Sequence, residues 1–198
     1  MRTYLILPFV AASLLLAAPQ TKSPVSHEAM NSPPVLRLRK PGNASRQPAT
    51  SLCRIDEQVL FSCKVADGSK LISLCGSRQL VAKTGYVQYR FGKVGALELQ
   101  FPQKLEDTQA AFRYAHYFRA QVDRTELRFE NGAYKYALYD YYEGDVRPEI
   151  KAAGVRVTPP GKERGEVEIK CRGRAVSHLG VLSSVVPTAE DSELGPPN

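Results

Sequence analysis

The chain has 198 residues, a net charge of +7, 43% hydrophobic and 24% charged residues. That balance excludes wholesale disorder and a collagen-like fibre, and the length suits about one globular domain once its ends are set aside. The charge divides unevenly: residues 53–186 keep a net +5, with a basic segment before them and an acidic one after. Residues 19–52 carry Lys22, Arg37, Arg39, Lys40 and Arg46 against Glu28, while the stretch from Pro187 carries Glu190, Asp191 and Glu193.

Residues 1–18 read as a signal peptide: Arg2 precedes an apolar run from Leu5 to Ala18. That run falls short of the ~20 apolar residues needed to cross a bilayer, so an export signal is favoured over an uncleaved anchor. The mature chain is therefore expected to be periplasmic or secreted, without a transmembrane span. Residues 19–52 form a Pro/Ser-rich basic linker that cannot bury enough apolar surface to offset its ordering entropy. The domain is expected over 53–186, followed by an acidic flexible tail at 187–198.

Within the domain, three hairpins are predicted. Asp67-Gly68 lies between apolar runs, which is a two-residue turn signal. It pairs Cys63 with Ile72 and Phe61 with Leu74. A second hairpin spans 86–101, where a five-residue loop from Gly92 to Ala96 matches the apolar faces and sets Arg90 across from Glu98. A third turns at Asn131-Gly132, facing Leu127 and Phe129 with Tyr136 and Tyr134 and leaving Arg128 opposite Lys135. The segment Phe112 to Val122 fits both periodicities, and its aromatic content favours a strand. Later strands are Gly154 to Thr158 and Glu166 to Arg172 around the turn Pro159-Pro160-Gly161. Ala175 to Val186 is expected to form a short terminal helix. The sum is an all-β domain of about eight strands, an antiparallel sandwich or small barrel.

Four cysteines in an exported chain point to two disulfides, with three possible connectivities. In the first hairpin Cys63 and Cys75 face apart, whereas Cys171 shares an inward face with Val167 and Ile169. Cys63–Cys171 with Cys53–Cys75 is preferred over Cys53–Cys63 with Cys75–Cys171. No C-x-x-C spacing occurs, so no metal site is assigned, and no cofactor motif is present.

Catalytic constellations are sparse. The chain lacks G-x-S-x-G, H-E-x-x-H, a P-loop and a Rossmann fingerprint. The run Asp140 to Asp145 has carboxylates but not the ligand density of an EF-hand loop. Two concentrations of Tyr, Arg and Gln stand out instead: Tyr86, Gln88 and Arg90 on the expected outward face of the second hairpin, and Arg113, Tyr117, Arg119, Tyr141 and Tyr142. Tyr and Arg are enriched in interface hot spots. The basic residues are too dispersed for a nucleic-acid binder, so the expected partner is a protein or a cell-envelope glycan. The expected function is that of a non-enzymatic binding module, and the alternative is a hydrolase with a non-standard site around His116 or His178.

Phe61-Ser62-Cys63, Ser73-Leu74-Cys75, the stretch Tyr86 to Leu99 (YVQYRFGKVGALEL), His116 to Leu127 (HYFRAQVDRTEL) and Cys171-Arg172-Gly173 resemble motifs of a group of small exported bacterial proteins. The group has no established activity. The resemblance covers most of 53–175, implies a bacterial, exported, cysteine-bearing domain, and transfers no catalytic residue.

Overall fold

The structure, a computed structural model, describes residues 50–161, 165–189 and 194. The expected signal peptide, residues 19–49 of the linker and most of the tail lie outside the described residues. Ten strands follow one another with tight connections: β1 (Glu57–Lys64), β2 (Leu71–Ser77), β3 (Val87–Lys93), β4 (Ala96–Phe101), β5 (Phe112–Arg119), β6 (Val122–Asn131), β7 (Tyr134–Glu143), β8 (Ile150–Thr158), β9 (Val167–Lys170) and β10 (Val176–Ser177). They form two antiparallel five-stranded sheets, ordered β10-β1-β2-β3-β4 and β5-β6-β7-β8-β9. Neither sheet closes on itself, so the expected sandwich is observed and the barrel is not.

The core joins the inner faces of both sheets. Phe61, Ile72, Leu74 and Tyr89 of the first sheet meet Phe112, Leu127, Phe129 and Leu138 of the second in one apolar cluster. Aromatic rings carry the contact between sheets: Phe129 lies 5.1 Å from Tyr89 and stacks on Phe101 at 4.9 Å, centroid to centroid. Such pairs add a modest term beyond the area they bury.

The first hairpin has the expected register, with Cys63 opposite Ile72 and Phe61 opposite Leu74. The other two are corrected by a slip of two residues each. In the second, a tight turn at Val94-Gly95 places Arg90 opposite Gln100, not Glu98. Because the side-chain period is two, this slip leaves the apolar faces intact: Phe91 faces Leu99 and Tyr89 faces Phe101. A bulge at Gly92 absorbs the extra residue, and Glu98 pairs with Lys70 at 2.7 Å instead. In the third hairpin Asn131 pairs with Tyr134, so Lys135 faces Glu130 and Arg128 faces Ala137. The like-charge pair Arg128–Lys135 is thereby avoided.

Gly92 is required by that bulge. Its φ is +138°, and a Cβ there would stand 2.7 Å from both the Ala96 carbonyl and the Glu98 amide. Gly92→Ala is expected to cost about 1–3 kcal/mol through backbone strain. Urea unfolding measures it, and an unchanged midpoint would contradict the bulge.

The expected helix at Ala175–Val186 is corrected to the short strand β10 followed by a 3₁₀ helix, Leu179–Ser184. Gly180, Val181 and two serines are poor α-helix formers. Leu179 and Leu182, three residues apart, eclipse on one side of a 3₁₀ turn and are both buried.

Both preferred disulfides are present, Cys53–Cys75 and Cys63–Cys171, with Cα atoms 5.4 and 5.6 Å apart. Cys63 lies one residue before the end of β1 and Cys171 follows β9, so the second bond ties one sheet to the other. An isolated bridge from Val65 to Cys171 and a hydrogen bond from the Cys171 amide to the Ala153 carbonyl reinforce that junction.

Candidate binding faces

The outer face of the first sheet carries the expected Tyr86, Gln88 and Arg90, but it is sealed. Residues 50–56 fold back over it and are pinned there by Cys53–Cys75. The Leu52 amide donates to Ser73 Oγ (3.0 Å), and Ser62 Oγ donates to the Thr50 carbonyl (2.7 Å). The described end of the expected linker, 50–52, is thus part of the domain.

Beneath this cover Arg90 is 3% and Gln88 1% exposed. The Arg90 guanidinium donates to Glu57 through both Nη atoms (2.6 and 2.7 Å), to Gln88 Oε1 and to the Leu52 carbonyl. Tyr86 donates its hydroxyl proton to Glu57 Oε1 (2.9 Å) and accepts from Arg54 (2.9 Å). Burial pushes the Glu57 carboxyl up, yet the donors from Arg90, the Arg54 amide and Tyr86 outweigh it and hold the carboxyl below its usual range. The expectation that Gln88 and Arg90 face a partner is corrected: they are the polar interior of a plug. Their alternation with Val87 and Tyr89 does mark a second face. It does not show that residues far upstream cover that face.

The outer face of the second sheet is open. Register places its side chains in rows across the strands. One row runs Arg113, Arg128, Ala137, Arg156, Glu168, and the next runs Ala115, Glu126, Tyr139, Gly154, Lys170. A third brings together Tyr117, Arg124, Tyr141 and Ala152. Over Ala137, toward one end of these rows, lies a cavity of about 770 Å³ whose walls include Arg113, Arg128, Lys135, Tyr141, Arg156 and Glu166 and which reaches Phe101, Phe129 and Tyr136.

Glu126 organises this groove from below, at 1% exposure. Its Oε2 accepts from Arg128 Nε (2.7 Å), and its Oε1 accepts from both Arg156 and Tyr141. The Arg156 guanidinium carbon lies 5.2 Å from the Tyr139 ring centroid and 5.5 Å from that of Tyr141, a cation–π arrangement. Arg124 pairs with Glu143 at 2.8 Å, and Tyr139 donates to Glu168 at 2.6 Å. Burial pushes both tyrosine phenols well above their ordinary range, so they act here as donors rather than acids. Among the described residues, the buried Arg156 Nε has no hydrogen-bond partner, and Glu166 lies 3.8 Å from it.

Of the second expected group, Arg113, Tyr117 and Tyr141 come together on this outer face. Arg119 lies at its end, exposed and bonded to Asp145 at 2.5 Å. Tyr142 points to the opposite side, where its hydroxyl donates to Glu149. Sequence reading missed Arg124, Glu126, Arg128 and Arg156. The alternation of Arg124, Glu126, Arg128 and Glu130 along β6 was the available signal.

The edge of β5 beside the groove is occupied by the chain itself. The Tyr114 amide donates to the Pro187 carbonyl and the Ala189 amide donates to the Tyr114 carbonyl, both at 2.8 Å, with Thr188 bridged in parallel to Tyr114. Leu194 is 3% exposed, and its carbonyl accepts from Arg124 Nη1 at 3.4 Å. Ala189 and Leu194 both line the groove. The expectation of a free tail from residue 187 is corrected at these positions.

The histidines belong to different elements. His116 is exposed on β5, with Nε2 2.9 Å from Asp123, while His178 follows β10 and gives its amide to the Leu60 carbonyl. Glu143 and Asp145 are engaged by Arg124 and Arg119. Among the described residues, Cys53, Glu57 and Cys75 are close enough together to hold a metal, but the two sulfurs are bonded to each other and offer no thiolate.

The fold and its bonds define a disulfide-linked antiparallel β-sandwich. No helix among the described residues is long and apolar enough to cross a membrane. Comparison with protein-family models, with curated proteins and with solved structures found no match.

Proposed function

We propose that the protein is an exported binding module, periplasmic or secreted, that engages a cell-envelope protein or glycan through the groove on the outer face of its second sheet. The contrast between the two outer faces carries this reading. One is closed by a buried Arg90–Glu57 pair, while the other holds a walled groove of arginine, tyrosine and glutamate. Such grooves, with few well-fixed polar groups and aromatic walls, are where ligands bind. Export is supported by the signal-like run at 1–18 and by all four cysteines standing in disulfides, which persist in oxidising compartments.

Charge reversal by Arg113→Glu with Lys135→Glu tests it, because both side chains line the groove and are exposed. Capture of the partner from envelope extract should fall at least about tenfold, roughly 1.4 kcal/mol or more of binding. Equal capture by the variant would remove this face from the proposal. The alternative, hydrolysis at His116, draws on the His116–Asp123 pair. It requires that His116→Ala abolish turnover of an ester or glycoside substrate.

A further inference from the structure

Resting on that reading of the groove, we propose that its ligand is an extended acidic peptide segment with a leucine-type anchor, and that such a partner takes the positions now held by the chain's own Pro187, Thr188, Ala189 and Leu194. Three observations converge on it. Pro187 to Ala189 already add to the β5 edge by main-chain hydrogen bonds on both sides of Tyr114, which is the chemistry of strand addition: the backbone supplies affinity and side-chain pockets supply selectivity. Leu194 already fills an apolar position in the groove wall and presents its carbonyl to Arg124. The sequence joining these two anchors is Glu190-Asp191-Ser192-Glu193, and the groove wall sets Arg113, Arg128, Lys135 and Arg156 against Glu126, Glu130 and Glu166, with exposed Arg113 and Lys135 its outermost cations.

Two backbone hydrogen bonds and one buried leucine make a small contact. It persists because tethering gives a segment an effective concentration of order millimolar. A free peptide of the same composition competes against that tether, so its apparent affinity is lowered by the fraction of time the site is vacant. Weakening the tethered contact should therefore raise affinity for a peptide in trans, the reverse of what a purely structural tail would do.

The test uses the full chain and a fluorescein-labelled peptide of residues 187–198, PTAEDSELGPPN. Leu194→Asp, and separately Ala189→Pro, which removes the N–H given to Tyr114, should each bind this probe at least about tenfold more tightly than the unmodified chain. Binding should weaken as salt rises, and a probe with its leucine replaced by aspartate should not bind. On the unmodified chain, millimolar unlabelled peptide should speed hydrogen exchange of the Ala189 amide while leaving that of Leu127 unchanged. No gain in affinity for either variant, with Ala189 exchange unaffected by peptide, overturns the proposal. Loss of extract capture by the Arg113→Glu, Lys135→Glu chain alongside that result would leave the binding face standing and remove only the peptide.

Discussion

Arg90→Ala is expected to destabilise the protein by about 3–5 kcal/mol, the range for removing one partner of a buried ion pair. The size follows from what is left behind. Glu57 would keep its side chain fully buried while losing both Arg90 donors, with Tyr86, the Arg54 amide and the half-exposed Arg54 guanidinium as its remaining partners. The Gln88 carbonyl and the Leu52 carbonyl would lose donors as well. Arg54→Ala is the matched control. Its side chain is half exposed and also contacts Glu57, so screening by solvent limits its effect to below about 1 kcal/mol. A double variant, Glu57→Leu with Arg90→Met, should recover much of the loss, because an apolar pair of similar volume leaves no uncompensated charge.

The same cluster sets an acid limit. The folded Glu57 carboxyl titrates below its unfolded range, so its contribution is complete above the ordinary carboxylate pKa of about 4.3 and is lost as pH falls further. The difference in urea midpoint between the native chain and the double variant should shrink below about pH 4. A difference that stayed constant from pH 7 to pH 3 would show that Glu57 is not held as a carboxylate.

The second large effect is expected from the disulfides, and the two should differ. Cys63–Cys171 closes a separation of 108 residues and Cys53–Cys75 one of 22. Loop-closure entropy assigns about 5 kcal/mol to the longer and about 3 kcal/mol to the shorter. Cys63→Ala with Cys171→Ala should therefore lower the thermal midpoint more than Cys53→Ala with Cys75→Ala. The shorter bond has a distinct signature. Its loss releases residues 50–56 from the first sheet and admits water to Arg90 and Glu57, so the Arg90→Ala penalty should shrink in that background. Equal midpoints for the two pairs, with an undiminished Arg90→Ala penalty, would contradict both assignments.

Most of the architecture was legible because alternation in strands is a local signal. Phe61, Cys63, Leu74 and Tyr89 declare their inward face by period, and a slip of two residues in a hairpin does not alter it. For that reason the faces came out right at β3–β4 and β6–β7 although the cross-strand partners did not. The disulfide pairing was readable on the same ground, since Cys63 and Cys171 share an inward parity. What sequence could not convey was coverage. Arg90 and Arg113 both sit on outer faces, yet one lies buried under a segment held by Cys53 and the other is exposed at the wall of a groove. That distinction is set by a contact between residues far apart in the chain, as is the return of Leu194 to Arg124.

The central claim is that the second sheet, not the first, presents the binding face. A photo-crosslinking amino acid introduced at Lys135 in the groove, and separately at exposed Leu97 on β4 of the first sheet, tests it in envelope extract. A discrete adduct is expected from position 135, lost when Arg113→Glu is added, and none from position 97. An adduct from position 97 with none from position 135 would contradict it.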